Sequence, residues 1–183
     1  MTEQIHVRKI TNKDIKLLFE WVNDPLVIEN SLKTIEKIDW PTHKKWFDSK
    51  INNKNARIYI FENVLKKPIG QVRIEKVLDY AKINFSIDKN FRDKGYAKII
   101  LEMAINTFEL QKKFFIAEVK KNNLASINTF IRLKFTYKKY KFKNDNLENA
   151  MNFYKNEFSL PIHPNLKTSD VNYIIKQIIN NLY

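Results

Sequence analysis

Cysteine is absent from the 183-residue chain, which excludes disulfides, thiolate nucleophiles and the zinc sites built on cysteine ligands. Nothing else in the sequence calls for a metal. The absence fits a reducing compartment, and a cytoplasmic protein is expected. Glycine is scarce: only Gly70 and Gly95 occur, so a turn or close approach that demands glycine must use one of them. No apolar run approaches the roughly eighteen residues of a membrane span, and the opening MTEQIHVRKI lacks the apolar stretch of a secretion signal. Acidic residues are in deficit, 20 against 33 Lys and Arg, for a net charge of +13. The excess is lysine scattered through every segment, which reads as a solvated basic surface. Nucleic acid is therefore not the expected partner, although such a field steers phosphorylated small molecules. With 44% hydrophobic residues, the chain can bury the core of one domain.

What the chain does contain is organised around Ile83 to Val119. Ile83, Phe85 and Ile87 alternate with Asn84, Ser86 and Asp88 as in a half-buried strand. The polar run Lys89 to Lys94 ends that pattern, and from Ala97 the apolar residues Ile100, Leu101, Ala104, Ile105 and Phe108 recur at helical spacing. Arg92-Asp93-Lys94-Gly95-Tyr96-Ala97 thus lies where a strand feeds a helix start. Free backbone N–H groups and the helix dipole favour a phosphate there, and Gly95 carries no side chain to block it. A polar surface turn is the plain alternative. A strand from Phe114 to Val119 follows, and then Asn123-Leu-Ala-Ser126-Ile-Asn-Thr-Phe130-Ile-Arg-Leu-Lys-Phe135.

These two stretches, in this order, resemble the Arg/Gln-x-x-Gly-x-Gly/Ala and Asn-x-x-Ser/Ala-x-x-x-Tyr-x-x-x-Gly-Phe motifs of the GNAT family of N-acetyltransferases, over about residues 5 to 158. The resemblance implies an α/β fold, with a mixed central sheet of about seven strands flanked by four helices, and a domain over residues 1–158 followed by an extension with one further helix over 159–183. It implies acetyl-CoA as cofactor. Ser86 and Ile87 would pair with its pantetheine arm, Arg92, Asp93, Lys94, Gly95, Tyr96, Ala97 and Lys98 would hold its pyrophosphate, and Asn123, Ser126 and Phe130 would lie along its far side. Two departures stand out. Phe130 replaces a tyrosine that serves many members as the acid for the leaving thiolate, so Tyr96, Tyr137 or water must act there or the thiolate leaves unassisted. Lys134 replaces the glycine before Phe135, which suggests a changed turn.

The first third reads as a short strand from His6 to Ile10, a helix opening at Thr11 and running to about Val22, an irregular segment Leu26 to Asp39, and a helix beginning near Trp40. In the family, this region shapes the acceptor pocket. Trp-x-Asn23-Asp24, Ser31 and His43-x-x-Trp46-Phe resemble the branch that acetylates amines on nucleotide-linked sugars. Asn23, Asp24, Ser31 and Trp46 are the expected acceptor contacts, with Gln71, Arg73 and Asn84 from the polar face of a meander over Arg57 to Asp88. Solvent-facing alternation and core packing are the alternatives for these residues. Glu118 holds the place of the general base in several members, with a lysine-paired strand carboxylate as its alternative. His43 is the second candidate base, with a helix-flanking histidine as its alternative. Further strands are expected at Thr136 to Phe142 and Met151 to Phe158. The tail, with Leu160-Pro161-x-x-Pro164-x-Leu166 and a helix capped by Asp170, resembles the C-terminal end of pyridoxal-phosphate sugar aminotransferases without their lysine context. The function expected is N-acetylation of a nucleotide-linked amino sugar, such as a UDP- or dTDP-4-amino-4,6-dideoxyhexose, for surface glycans. A protein N-terminus or another small amine is the alternative acceptor, and a non-catalytic basic nucleic-acid-binding module the alternative class. Association of like chains stays open.

Overall fold

Successive runs of alternating side chains form a meander. Strands β1 (His6–Lys9), β2 (Ala56–Glu62), β3 (Pro68–Val77) and β4 (Tyr80–Ile87) pair antiparallel in sequence order. Strand β5 (Phe114–Lys120) runs parallel to β4, and β6 (Glu157–Ile162) antiparallel to β5, giving six strands in the order β1-β2-β3-β4-β5-β6. This computed structural model describes residues 4–77, 80–108, 114–135 and 157–162. The strand expected at 136–142 and the helix expected in the tail lie outside the described residues. The strand expected over Met151 to Phe158 lies largely outside the described residues; among those described, Glu157–Ile162 pairs with β5. Pro161 is tolerated because β6 lies at the edge of the described sheet, where a strand needs ladder bonds on one side only.

Helices cover both faces. On one side α4 (Tyr96–Thr107) and α5 (Leu124–Arg132) seal a core of Phe61, Val72, Ile74, Ala81, Ile83, Ile100, Leu101, Ala104, Phe115, Ala117 and Phe130. Ile100, Leu101 and Ala104 recur at helical spacing and are fully buried, which is why this segment is helical despite its β-branched residues. On the other side α1 (Ile15–Val22) and α3 (Trp40–Ile51) bury Leu18, Trp21, Phe47 and Ile60 in a smaller cluster. Between them is a helix the sequence reading left as irregular chain, α2 (Pro25–Asn30), capped by Asp24 and opened by Pro25.

Arg8 fixes the entry to α1. Its guanidinium donates two 2.8 Å bonds to Asp14 and one of 2.7 Å to Glu62. Burial pushes the Asp14 carboxyl up, but the bonds from Arg8 and Thr11 outweigh it and hold the group below the ordinary range. At the far end, α5 closes without the glycine. Lys134 takes the left-handed conformation at φ 62°, its N–H donates to Ile131 and that of Phe135 to Phe130, and the Phe130 and Phe135 rings meet at 4.6 Å. The turn is therefore the one a glycine would make, and Lys134 bears the steric cost.

Candidate active site

Strands β4 and β5 are paired only over Tyr80, Ala81 and Lys82, opposite Phe114, Phe115 and Ile116. Beyond Lys82, β4 continues to Ile87 with no partner on that side among the described residues. The Asp88 N–H donates to Ile69 on β3 at 2.8 Å, so by antiparallel alternation Ile83, Phe85 and Ile87 turn their N–H and C=O groups toward the opening. Arg92 Nε donates to the Ile87 carbonyl at 3.2 Å, and the Ile87 N–H faces the gap. An extended amide-bearing molecule can add there as a strand would. Gly70 makes this edge possible, since a Cβ at that position would lie 2.5 Å from the Ser86 carbonyl oxygen.

The gap ends at the Arg92–Ala97 loop. Gly95 sits at the start of α4 with φ 81°, and a Cβ built there meets nothing within 4 Å. Glycine is thus required by the backbone angle, and the space above it is open to an anion at the helix start. Asp93, at φ 60°, is also left-handed. Lys94 Nζ donates to the Asn90 carbonyl and lies over the Phe91 ring, against whose edge Tyr96 stands. Ala97 follows in the first turn of α4, and Lys98 is exposed. Arg92 is held at both ends of its guanidinium, by Ile87 and by Asp24 Oδ1 at 2.8 Å. Across the gap Asn123 caps α5 by accepting from the Ser126 N–H. Phe130 is 2% exposed, edge-on to Phe85, and is therefore part of the core under the gap. The loop and the open edge suit a pyrophosphate joined to a pantetheine chain.

The sheet face away from α4 and α5 is polar. Gln71, Arg73 and Glu75 on β3 stand opposite Ser86, Asn84 and Lys82 on β4, and Lys82 reaches Glu118 on β5 at 2.6 Å. Lys82 is the residue the sequence reading missed; its signal is the same alternation that placed Asn84 and Ser86. Burial pushes the Lys82 ammonium down, but the bond and charge of Glu118 outweigh it and the net shift is upward. The Arg73 guanidinium lies 5.6 Å from the centroid of the Trp46 ring, with its Nε 3.9 Å from Glu75, and its side chain is 25% exposed. Glu75 is ion-paired with Lys50; burial pushes its carboxyl up, but that bond and the charges of Arg73, Lys50 and Lys33 hold it low. Gln71 Nε2 donates to Ser86 Oγ at 3.3 Å, and Asn84 is exposed.

On the helical wall beside this face, several expected acceptor contacts are occupied within the protein. Asn23 clamps the backbone of Ile38 through both amide atoms. Asp24 caps α2 through the N–H groups of Leu26 and Val27. Ser31 Oγ accepts from the Lys33 and Thr34 N–H groups, shaping a turn. His43 corrects an expectation: rather than reaching toward the acceptor, it is 2% exposed. Its Nε2 lies 2.9 Å from the Ile15 carbonyl, to which it donates, and its ring is set among Phe19, Trp40, Trp46 and Phe47. Burial lowers its pKa, and the bond to Ile15 opposes that shift only in part. A ring so enclosed holds α3 to α1 and is badly placed to take a substrate proton. Among the described residues no cluster of His, Asp and Glu could hold a metal ion, and no helix is long and apolar enough to cross a membrane.

Comparison with known proteins adds to this geometry. Residues 4–136 match the description of an acetyltransferase (GNAT) domain. An uncharacterized protein of Methanocaldococcus jannaschii is 27% identical over 138 residues, which are 72% of this chain and 28% of that relative; the chain thus spans little more than a quarter of its length. A crystallised domain from the same organism superposes with a TM-score of 0.70 at 21% identity, covering 87% of this chain and 98% of the other. The spermidine N-acetyltransferase of Vibrio cholerae, solved with CoA and spermine, gives 0.70 at 15% identity over 87% of this chain and 95% of its own. An aminoglycoside acetyltransferase, AAC(6')-Ib, solved with coenzyme A, gives 0.66 at 14% identity over 88% and 95%. At such identities these structures share the fold.

Proposed function

The chain belongs to the GNAT family of acetyltransferases, and on that premise we propose that it acetylates the amine of an anionic acceptor, a nucleotide-linked amino sugar. As a member it is an acetyl-CoA-dependent acyltransferase; the acceptor is the open question. The observation that carries the proposal is Arg73, a cation stacked on Trp46 in the middle of the polar face. Among the described residues of β3, β4 and β5 on that face, both carboxylates are matched, Glu75 by Lys50 and Glu118 by Lys82. The face therefore has surplus positive charge, and the whole chain carries +13. A polyamine would be repelled by such a field, whereas the diphosphate of a nucleotide sugar is drawn to it.

When bound, acetyl-CoA supplies a thioester whose carbonyl carbon an unprotonated amine attacks, with departure of the thiolate. The chain's part is alignment and proton movement. The open edge of β4 and the Gly95 loop would fix the cofactor. Glu118 would accept the amine's proton, and Lys82, 2.6 Å from it, holds the carboxylate in place until the acceptor arrives. Phe130 offers no proton to the leaving sulfur, so water serves, or the thiolate leaves unassisted. The test is acetyl-CoA turnover with UDP- and dTDP-linked amino sugars beside spermidine, an aminoglycoside and an N-terminal peptide. Turnover confined to the nucleotide-linked amines, and reduced at least tenfold by Arg73→Gln, is the expected result. Preferential turnover of spermidine would overturn the proposal.

A further inference from the structure

Three bonds join the wall formed by α1 and α2 to the strands and loop of the cofactor side. Trp21 Nε1 donates to Asp88 Oδ2 at 2.9 Å, where the loop begins. Asp24 Oδ1 meets Arg92 Nη2 at 2.8 Å, in the middle of the loop, with side-chain exposures of 15% and 22%. Lys120 Nζ, at the end of β5, donates to the Glu29 carbonyl at 2.7 Å near the end of α2. The same Asp24 oxygen accepts the Leu26 and Val27 N–H groups that start α2. The neighbouring Asn23 extends the connection by clamping Ile38, at the end of the segment leading to α3. One carboxylate oxygen thus belongs at once to the helix cap and to the loop.

We infer that Asp24 is a positioning residue that couples the two halves of the reaction: filling the Gly95 loop with cofactor firms the acceptor wall through Asp24–Arg92. The physical reason lies in the loop's shape. Asp93 and Gly95 are left-handed, and Asp93, Lys94 and Gly95 are exposed, so this part of the loop gains most order when an anion engages it. Arg92 stands next to that part and is gripped by Ile87 and Asp24. Order gained by the loop is passed to α2 through a short, partly buried ion pair, whose orientation is fixed by a second guanidinium bond. By linkage, an acceptor that firms the wall tightens the cofactor by the same factor. The acceptor then meets a shaped pocket only when the acyl donor is present.

This inference rests on the reading that the loop holds the cofactor's pyrophosphate, and the test separates the two. Hydrogen exchange of the full chain is followed by mass spectrometry with and without CoA, and binding is measured by calorimetry in the same samples. In the wild type, CoA is expected to slow exchange over residues 93–97 and also over Pro25–Asn30, the latter at least about fivefold. Asp24→Asn keeps a good cap for α2 but loses the charge; there the CoA effect on Pro25–Asn30 should vanish while that on 93–97 persists. A merely structural Asp24 would speed α2 exchange equally with and without CoA, which overturns the inference. So does CoA binding that leaves wild-type α2 unchanged or less protected. Failure of CoA to bind overturns the loop assignment and the coupling with it.

Discussion

Strands β3, β4 and β5 build two unlike faces, apolar on one side of the sheet and polar on the other. Toward α4 and α5 the strands show Val72, Ile74, Ala81, Ile83, Phe115 and Ala117, nearly all without solvent contact. Toward the α1–α3 wall, β3, β4 and β5 show Gln71, Arg73, Glu75, Lys82, Asn84, Ser86 and Glu118, several of them charged and partly exposed. Strand alternation makes this division possible, because each residue's neighbours in sequence belong to the other face. Burial on one face supplies the free energy with which the other holds charged groups side by side.

If the faces divide stability from chemistry, the largest effect on folding comes from the apolar side. Leu101→Ala empties a fully buried site on α4 and should cost about 2–5 kcal/mol in denaturant unfolding. A loss well under that range would mean the apolar face is not the store of stability described. The matching change on the polar side is Glu118→Gln. It should lower kcat by at least about a hundredfold, and by breaking a partly exposed ion pair with Lys82 should cost only about 1 kcal/mol or less in stability. Full activity in that variant would remove Glu118 as the base and leave deprotonation to water.

Two smaller effects sharpen the comparison at its margins. Lys134→Gly relieves a left-handed lysine at φ 62° beneath the apolar face and should stabilise the fold by about 1 kcal/mol, read as a raised Tm. His43 belongs to the wall, and burial holds its folded pKa below the ordinary histidine value of 6.5. Between the folded and unfolded values the unfolded chain binds more protons, so stability falls as pH drops below 6.5 and stops falling through this group once pH passes the folded pKa. His43→Gln should flatten that part of the stability profile in a pH series of thermal melts. A profile unchanged by the substitution would show that the ring is not held neutral.

What could be read from the residues alone follows the same division. The Gly95 loop was legible because its demand falls on the backbone: one of two glycines, at a helix start, in a left-handed conformation. The strands of the meander were legible through alternation, as was the polar face they share. The wall was not, because Asn23, Asp24 and Ser31 are residue types that cap helices and shape turns as readily as they bind substrates, and here they do the former. Helix α2 escaped notice for the same reason, its Asp-Pro start reading as a break. His43 carries no mark in sequence of whether its ring faces inward. Lys134 suggested a different turn because the cost of a left-handed lysine is small enough for the contact between Phe130 and Phe135 to outweigh it.

The parted strands have a consequence for the life of the protein in solution. Among the described residues, β4 from Ile83 to Ile87 has no strand paired on the side facing β5. A bare edge is a template for any extended chain, and in a crowded or partly unfolded preparation the segment that docks there could come from another molecule. Whatever fills the gap guards against that mispairing. A ligand at a hundred times its dissociation constant adds about 2.7 kcal/mol to the folded state. If the gap holds the acyl donor as proposed, the shelf life and solubility of the protein should track the supply of that ligand, so that buffers without CoA hold a chain that aggregates sooner, with the parted strands as the first point of contact.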